Sequence, residues 1–131
     1  MNKFVLDTNI YFSYVYNANL TNLIQLILDN ELEIYLSDQL MNELLRNLTE
    51  KRIFERANIH RQELIEILSA VTIRKNPKKS SAGSPDPTDD FLFDLCTENK
   101  CVLITGDKKL LRWKNSPIQV MDLTAFKKIW M

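Results

Sequence analysis

An α/β fold, with helices packed on a mostly parallel sheet, is predicted by three features of this 131-residue chain. Apolar runs of strand length recur along it, at Lys3-Phe4-Val5-Leu6, at Glu33-Ile34-Tyr35-Leu36 and at Cys101-Val102-Leu103-Ile104-Thr105. Between them lie longer segments whose apolar residues repeat at helical spacing. Strands alternate with helices throughout, the pattern of βαβ units around a buried sheet. At this length, with 45% of residues apolar, one domain spanning residues 1–131 is expected.

The strand Lys3–Leu6 ends at Asp7, and a helix is expected from Thr8 or Asn9. Leu20, Leu23, Ile24, Ile27 and Leu28 form the apolar stripe of a second helix. After the strand Glu33–Leu36, Ser37 is a good N-cap for a helix that carries Leu40, Met41, Leu44, Leu45 and Leu48. A helix over about Arg61 to Ser69 presents Leu64, Ile65 and Leu68 and leads into a strand at Val71-Thr72-Ile73. The stretch from Lys75 to Thr88 holds three of the four prolines and one of the two glycines, which excludes regular structure. A loop of that length in a small domain points to function or to mobility. Thr88 is expected to cap a helix with Phe91, Leu92, Leu95 and Cys96 on its apolar face. Cys101–Thr105 is the clearest buried strand, closed by Gly106-Asp107; the helix-prone segment Lys108 to Lys114, a last strand within Pro117–Met121 and a helix capped by Asp122 complete the chain. There is no internal repeat.

Composition removes several chemistries. Seventeen basic and 17 acidic side chains give a net charge of zero, so neither a uniformly basic nucleic-acid binder nor a highly charged disordered tail fits. His60 is the single histidine, which excludes a zinc site built on several imidazoles. Two glycines, Gly83 and Gly106, are too few and too far apart for a glycine-rich phosphate loop. Cys96 and Cys101 stand five apart, the wrong spacing for a CxxC motif, and are expected as buried, reduced thiols. No apolar run approaches the ~20 residues of a membrane span, and a cytoplasmic protein is expected.

Carboxylates carry the remaining chemistry. Two hydrophobic strands end in an aspartate, Asp7 directly and Asp107 one glycine later. Side chains at the carboxyl ends of parallel strands project where open α/β sheets bind ligands; the same residues also serve as turn formers or helix caps. Asp86, Asp89 and Asp90 form a second group at the start of a helix, where the macrodipole favours them. At 100° per residue, Asp89 lies about 90° from the centre of the stripe of Phe91, Leu92, Leu95 and Cys96, while Asp90 lies nearly opposite, so Asp89 is the better candidate to reach the crevice. Glu43 falls about 130° from its own helix's stripe, and spacing alone makes it a solvated surface residue. Carboxylates that converge repel by roughly 4 kcal/mol per pair at 4 Å and an effective dielectric near 20. Such a group needs protons or a hard, oxygen-seeking cation such as Mg²⁺ or Mn²⁺, ions that also serve phosphodiester cleavage. Charge is uneven as well: residues 1–73 carry 6 basic and 10 acidic side chains, residues 74–131 carry 11 and 7. Lys78, Lys79, Lys108 and Lys109 are candidates to steer a nucleic-acid backbone, or else are simply solvated lysines.

Taken in order, Asp7-Thr8-Asn9, Ser37-Asp38-Gln39-Leu40-Met41-Asn42-Glu43-Leu44, Asp86-Pro87-Thr88-Asp89-Asp90 and Thr105-Gly106-Asp107-Lys108-Lys109-Leu110-Leu111 resemble a PIN domain. The likeness runs from Lys3 to about Leu123 and is strongest to PIN proteins that act as toxins of bacterial toxin–antitoxin pairs, the VapC-like ribonucleases. It implies a three-layer sandwich with a parallel sheet of about five strands, and an acidic pocket that cuts RNA with Mg²⁺ or Mn²⁺. The family's four acids map on Asp7, Glu43, Asp89 and Asp107, and its supporting polar residues on Asn9 and Thr105. Position 90, often Asn in the family, is Asp here and either adds a ligand or caps the helix; Asp86 is a further supporting candidate. Thr88 replaces a frequent acid, and Phe91 a frequent polar residue. The resemblance further implies a homodimer and a small antitoxin over the groove. The alternatives are a non-catalytic RNA- or partner-binding scaffold, or an RNA-processing nuclease without an antitoxin. A phospho-acceptor receiver domain would need adjacent acids after the first strand, and an aspartyl phosphatase a second acid where Asn9 stands.

Overall fold

Residues 2–48, 59–78 and 83–130 are described in the computed structural model. Along them run β1 (Lys3–Leu6), α1 (Thr8–Tyr16), α2 (Leu20–Asp29), β2 (Glu33–Leu36), α3 (Asp38–Asn47), α4 (Arg61–Val71), β3 (Ile73–Arg74), a 3₁₀ turn (Pro87–Asp89), α5 (Asp90–Asn99), β4 (Val102–Ile104), α6 (Lys108–Leu111), β5 (Val120–Met121) and α7 (Leu123–Ile129). The five strands form one sheet in the order β3-β2-β1-β4-β5. Every pairing is parallel, with Phe4 opposite both Ile34 and Val102, and Leu6 opposite Ile104.

This order dictates the layers. From β1 the chain steps outward to β2 and β3, then returns across the sheet to β4 and β5. Right-handed crossovers therefore place α1–α4 on one face and α5–α6 on the other. Accordingly α1 packs on α2 and α3, α2 on α4, and α5 against β1 and β4. Strands covered on both faces read as continuous apolar runs, and Phe4, Val5, Leu6, Ile34, Leu36, Leu103 and Ile104 are all fully buried. The Phe4 ring meets Phe126 edge-on at 4.9 Å and Trp130 at 6.1 Å, which seats α7 on the core.

Several expectations are corrected in detail: α6 ends at Leu111 rather than Lys114, and β5 covers only Val120–Met121 of Pro117–Met121. Thr72 extends the end of α4, since its N–H and hydroxyl both donate to the Leu68 carbonyl, at 3.0 and 2.6 Å, and β3 starts two residues later than its sequence pattern predicts. Thr88 caps nothing. Pro87 takes the first position of a 3₁₀ turn, a place that suits its fixed φ, and Asp86 becomes the cap by accepting from the Thr88 N–H at 3.0 Å. Leu28, the last residue of its predicted stripe, is 61% exposed at the end of α2. Ser37 and Asp122 cap α3 and α7 as expected, and both cysteines are buried and free. Among the described residues no helix is long and apolar enough to cross a membrane.

Candidate active site

The chain leaves β1 toward β2 but re-enters on its other side as β4, so the strand order reverses between β1 and β4. At such a switch point the two connections diverge and leave a crevice beyond the carboxyl ends of the strands. Asp7 stands there, 6% exposed, with its N–H tied to the Ile104 carbonyl at 2.9 Å. Its Oδ1 accepts from the Thr8 N–H at 2.7 Å and the Thr8 hydroxyl at 3.3 Å. Its Oδ2 accepts from the Thr105 hydroxyl at 2.8 Å and from Asn9 Nδ2 at 3.4 Å. Thr105, wholly buried, also accepts from the Asp107 N–H at 3.0 Å, so one hydroxyl joins the residues that follow the two central strands. Asn9 closes the same ring by accepting from the Gly106 N–H at 3.1 Å. Asp107 then caps α6 by accepting from the Lys109 N–H at 2.9 Å.

Two further acids arrive from opposite layers. Glu43 on α3 is half-buried rather than solvated. Helical periodicity measures its distance from the core stripe, and it is blind to the crevice beside that stripe. Burial pushes the Glu43 carboxyl up, and the charge of Asp7 pushes it further. Asp89 ends the 3₁₀ turn and precedes the first residue of α5, so α-helical phase applies to it only by extrapolation. Its carboxyl is pushed up to about 6, first by burial and then by the charges of Asp7, Asp86, Asp107 and Glu43. Burial also raises Asp7, against the hydrogen bonds from Thr105 and Thr8, and the charge of Asp107 adds to the rise. Asp7, Glu43, Asp89 and Asp107 thus share one electrostatic neighbourhood.

The remaining candidates divide. Asp86 faces this group from the 3₁₀ turn; the Thr88 hydroxyl and N–H hold its carboxyl below the usual range, and the charge of Lys109 helps. Asp90 turns to Ser84, whose N–H donates to its Oδ1 at 2.8 Å and whose hydroxyl lies against the same oxygen. Ser84 has no counterpart among the residues singled out from sequence, and the only signal for it is the turn chemistry of Ser84-Pro85-Asp86-Pro87. Lys108 and Lys109 are exposed at the start of α6, beside Asp107. Lys78 is exposed at the other end of α5, where its N–H donates to both Glu98 oxygens at 3.0 and 2.9 Å. Lys79 lies outside the described residues.

The donor set suits a hard dication: carboxylates only, mutually repulsive, partly withdrawn from water. Among the described residues, no group of three or more His, Cys, Asp or Glu side chains stands close enough to hold a metal ion as it is. Mg²⁺ keeps several waters and binds through one or two carboxylates, so it does not require such a group.

A parallel sheet in this order with carboxylates at its switch point is a nucleotide- or phosphate-handling α/β architecture, and residues 3–109 match the PIN domain family. The chain belongs to the PIN domain family, whose members are generally nucleases. "Uncharacterized protein MJ1680" of Methanocaldococcus jannaschii is 27% identical over 127 residues, 92% of this chain and 82% of that protein. Among solved structures, a chain of VapBC2 from Rickettsia felis, bound to a DNA fragment from its promoter, superposes with a TM-score of 0.59 at 16% identity, over 92% of this chain and 98% of that one.

Proposed function

We propose that this chain is a divalent-metal-dependent endoribonuclease, one PIN domain across residues 1–131, in which Asp7, Glu43, Asp89 and Asp107 hold Mg²⁺ or Mn²⁺. The observation that carries the reading is the gathering of acids at the switch point, with Asp7 and Asp107 joined through Thr105, and with burial first and then the charges of Asp7, Asp86, Asp107 and Glu43 raising the Asp89 carboxyl to about 6. Acids brought together at such a cost in the metal-free state are suited to a cation. When bound, the ion supplies the positive charge that phosphodiester hydrolysis needs at its attacking and leaving oxygens. The protein's own part is orientation. Thr8, Asn9 and Thr105 donate to Asp7 and hold its carboxylate in one rotamer; the two longest of these bonds, from the Thr8 hydroxyl at 3.3 Å and Asn9 Nδ2 at 3.4 Å, are the ones a ligand would displace. Lys108 and Lys109 stand at the rim on the Asp107 side, where they attract a phosphate backbone that the acids alone would repel.

The likeness to VapBC2 supports a toxin role, in which the chain forms a homodimer and a small antitoxin covers the groove. Asp7→Asn tests the chemistry. Cleavage of RNA in Mn²⁺ should be lost, while the protein without metal stays folded. Full activity in that variant overturns the reading.

A further inference from the structure

The Ser84–Asp90 pair plays no part in the chemistry above, yet it reaches Asp89 through an unbroken chain of polar contacts. Ser84 is 9% exposed. Its hydroxyl lies against Asp90 Oδ1 and also 2.6 Å from the Asp86 carbonyl, so one proton is shared between two acceptors. The same Asp86 carbonyl accepts from the Asp89 N–H at 2.9 Å. From Asp90 Oδ1 through Ser84 Oγ and the Asp86 oxygen, the network ends on the backbone of Asp89.

We propose that Asp90 is a positioning residue which, through Ser84, clamps the 3₁₀ turn and sets where the Asp89 carboxylate stands. The turn is three residues long, too short to hold itself rigidly, and the Asp89 side chain makes no cap bond to α5. The Asp86 side chain ties the turn to its own Thr88, two residues on. The clamp fastens it to the first residue of α5, a helix seated on β1 and β4. Asp90 Oδ1 accepts from both the N–H and the hydroxyl of Ser84, which makes this carboxylate a support for the loop that carries Ser84. Supporting partners of this kind change metal affinity by about 10–100-fold when removed.

The functional consequence rests on the nuclease reading; the clamp itself does not. A carboxamide oxygen accepts from Ser84 as a carboxylate does, so Asp90→Asn separates the two roles. Mn²⁺ titration should give affinities within about twofold of wild type for Asp90→Asn, and about tenfold weaker for Asp90→Ala and Ser84→Ala. Hydrogen exchange in metal-free protein should show the Asp89 amide losing protection in Ser84→Ala and keeping it in Asp90→Asn. Ser84→Ala removes a single oxygen and serves if Asp90→Ala does not fold. Equal loss of Mn²⁺ in Asp90→Asn and Asp90→Ala would make Asp90 a ligand and overturn the proposal, as would unchanged Asp89 protection in Ser84→Ala. A wild-type protein that binds Mn²⁺ but cuts no RNA removes the nuclease reading and leaves the exchange result standing.

Discussion

The two walls of the acidic crevice are built differently. One consists of Asp7, Asn9, Thr105 and Asp107, residues that follow two buried strands and are joined to each other across the chain by hydrogen bonds. The other consists of Asp86 and Asp89, carried on a proline-started 3₁₀ turn that is fastened through Ser84 and Asp90. Strand ends inherit the rigidity of the core beneath them, whereas a turn is only as fixed as its side-chain bonds. The contrast teaches that one acid of the site is placed by the sheet and another by local polar contacts. Loss of a hydrogen bond that joins the strand wall should therefore cost global stability, and loss of the Ser84–Asp90 bond should act on the turn.

Thr105→Val sharpens this contrast most. It keeps the shape and removes the hydroxyl that donates to Asp7 and accepts from the Asp107 N–H in a fully buried position. Leaving the Asp107 N–H without this partner, and Asp7 Oδ2 with only the longer Asn9 bond, should cost about 1–3 kcal/mol in urea unfolding. An unchanged unfolding midpoint would break the claim that the strand wall is a single bonded unit.

The strand wall is also the part that sequence reveals. β1, β2 and β4 are apolar runs because both faces of the sheet are covered, and an acid at the end of such a run is conspicuous; Asp7 and Asp107 are found that way. Glu43 is found only by family resemblance, because α3's periodicity reports the core and not the crevice at its flank. Asp89 is reached by helical phase although it lies outside the α-helix. The turn wall is poorly legible because Pro87 moves the cap from Thr88 to Asp86, and because the pairing of Ser84 with Asp90 depends on how an irregular loop folds back. Hydrophobic periodicity carries no record of such a bond.

Electrostatics distinguish the walls next. The Asp89 carboxyl binds its proton more tightly in the folded chain, at about 6, than at its ordinary value of 3.8. Its contribution to stability is complete below about 3.8 and is lost as pH rises through about 6. Metal-free wild type should accordingly become more stable as pH falls from 7 to 5. Asp89→Asn should flatten that slope and raise the melting temperature at pH 7 by roughly 2 °C, a modest figure because the group is half-exposed and screened. Asp7 and Glu43, shifted in the same direction, keep part of the slope. A slope identical in the variant and wild type would remove the convergence of charge on the turn wall.

The smallest effects come from the two glycines, one near each wall. Gly83 precedes the clamp at φ +64, a conformation that penalises a Cβ, although no atom lies within 4 Å of where that carbon would stand. Gly83→Ala should cost about 1 kcal/mol through backbone strain alone. At Gly106, on the strand wall, an added Cβ would meet Asn9 Oδ1 at 3.5 Å, an ordinary contact, with no positive φ to oppose it. Gly106→Ala should stay within about 0.5 kcal/mol of wild type in chemical denaturation. A larger loss at Gly106 than at Gly83 would mean that the Asn9–Gly106 bond tolerates no displacement. The strand wall would then owe its geometry to close backbone approach as well as to the buried hydroxyl of Thr105.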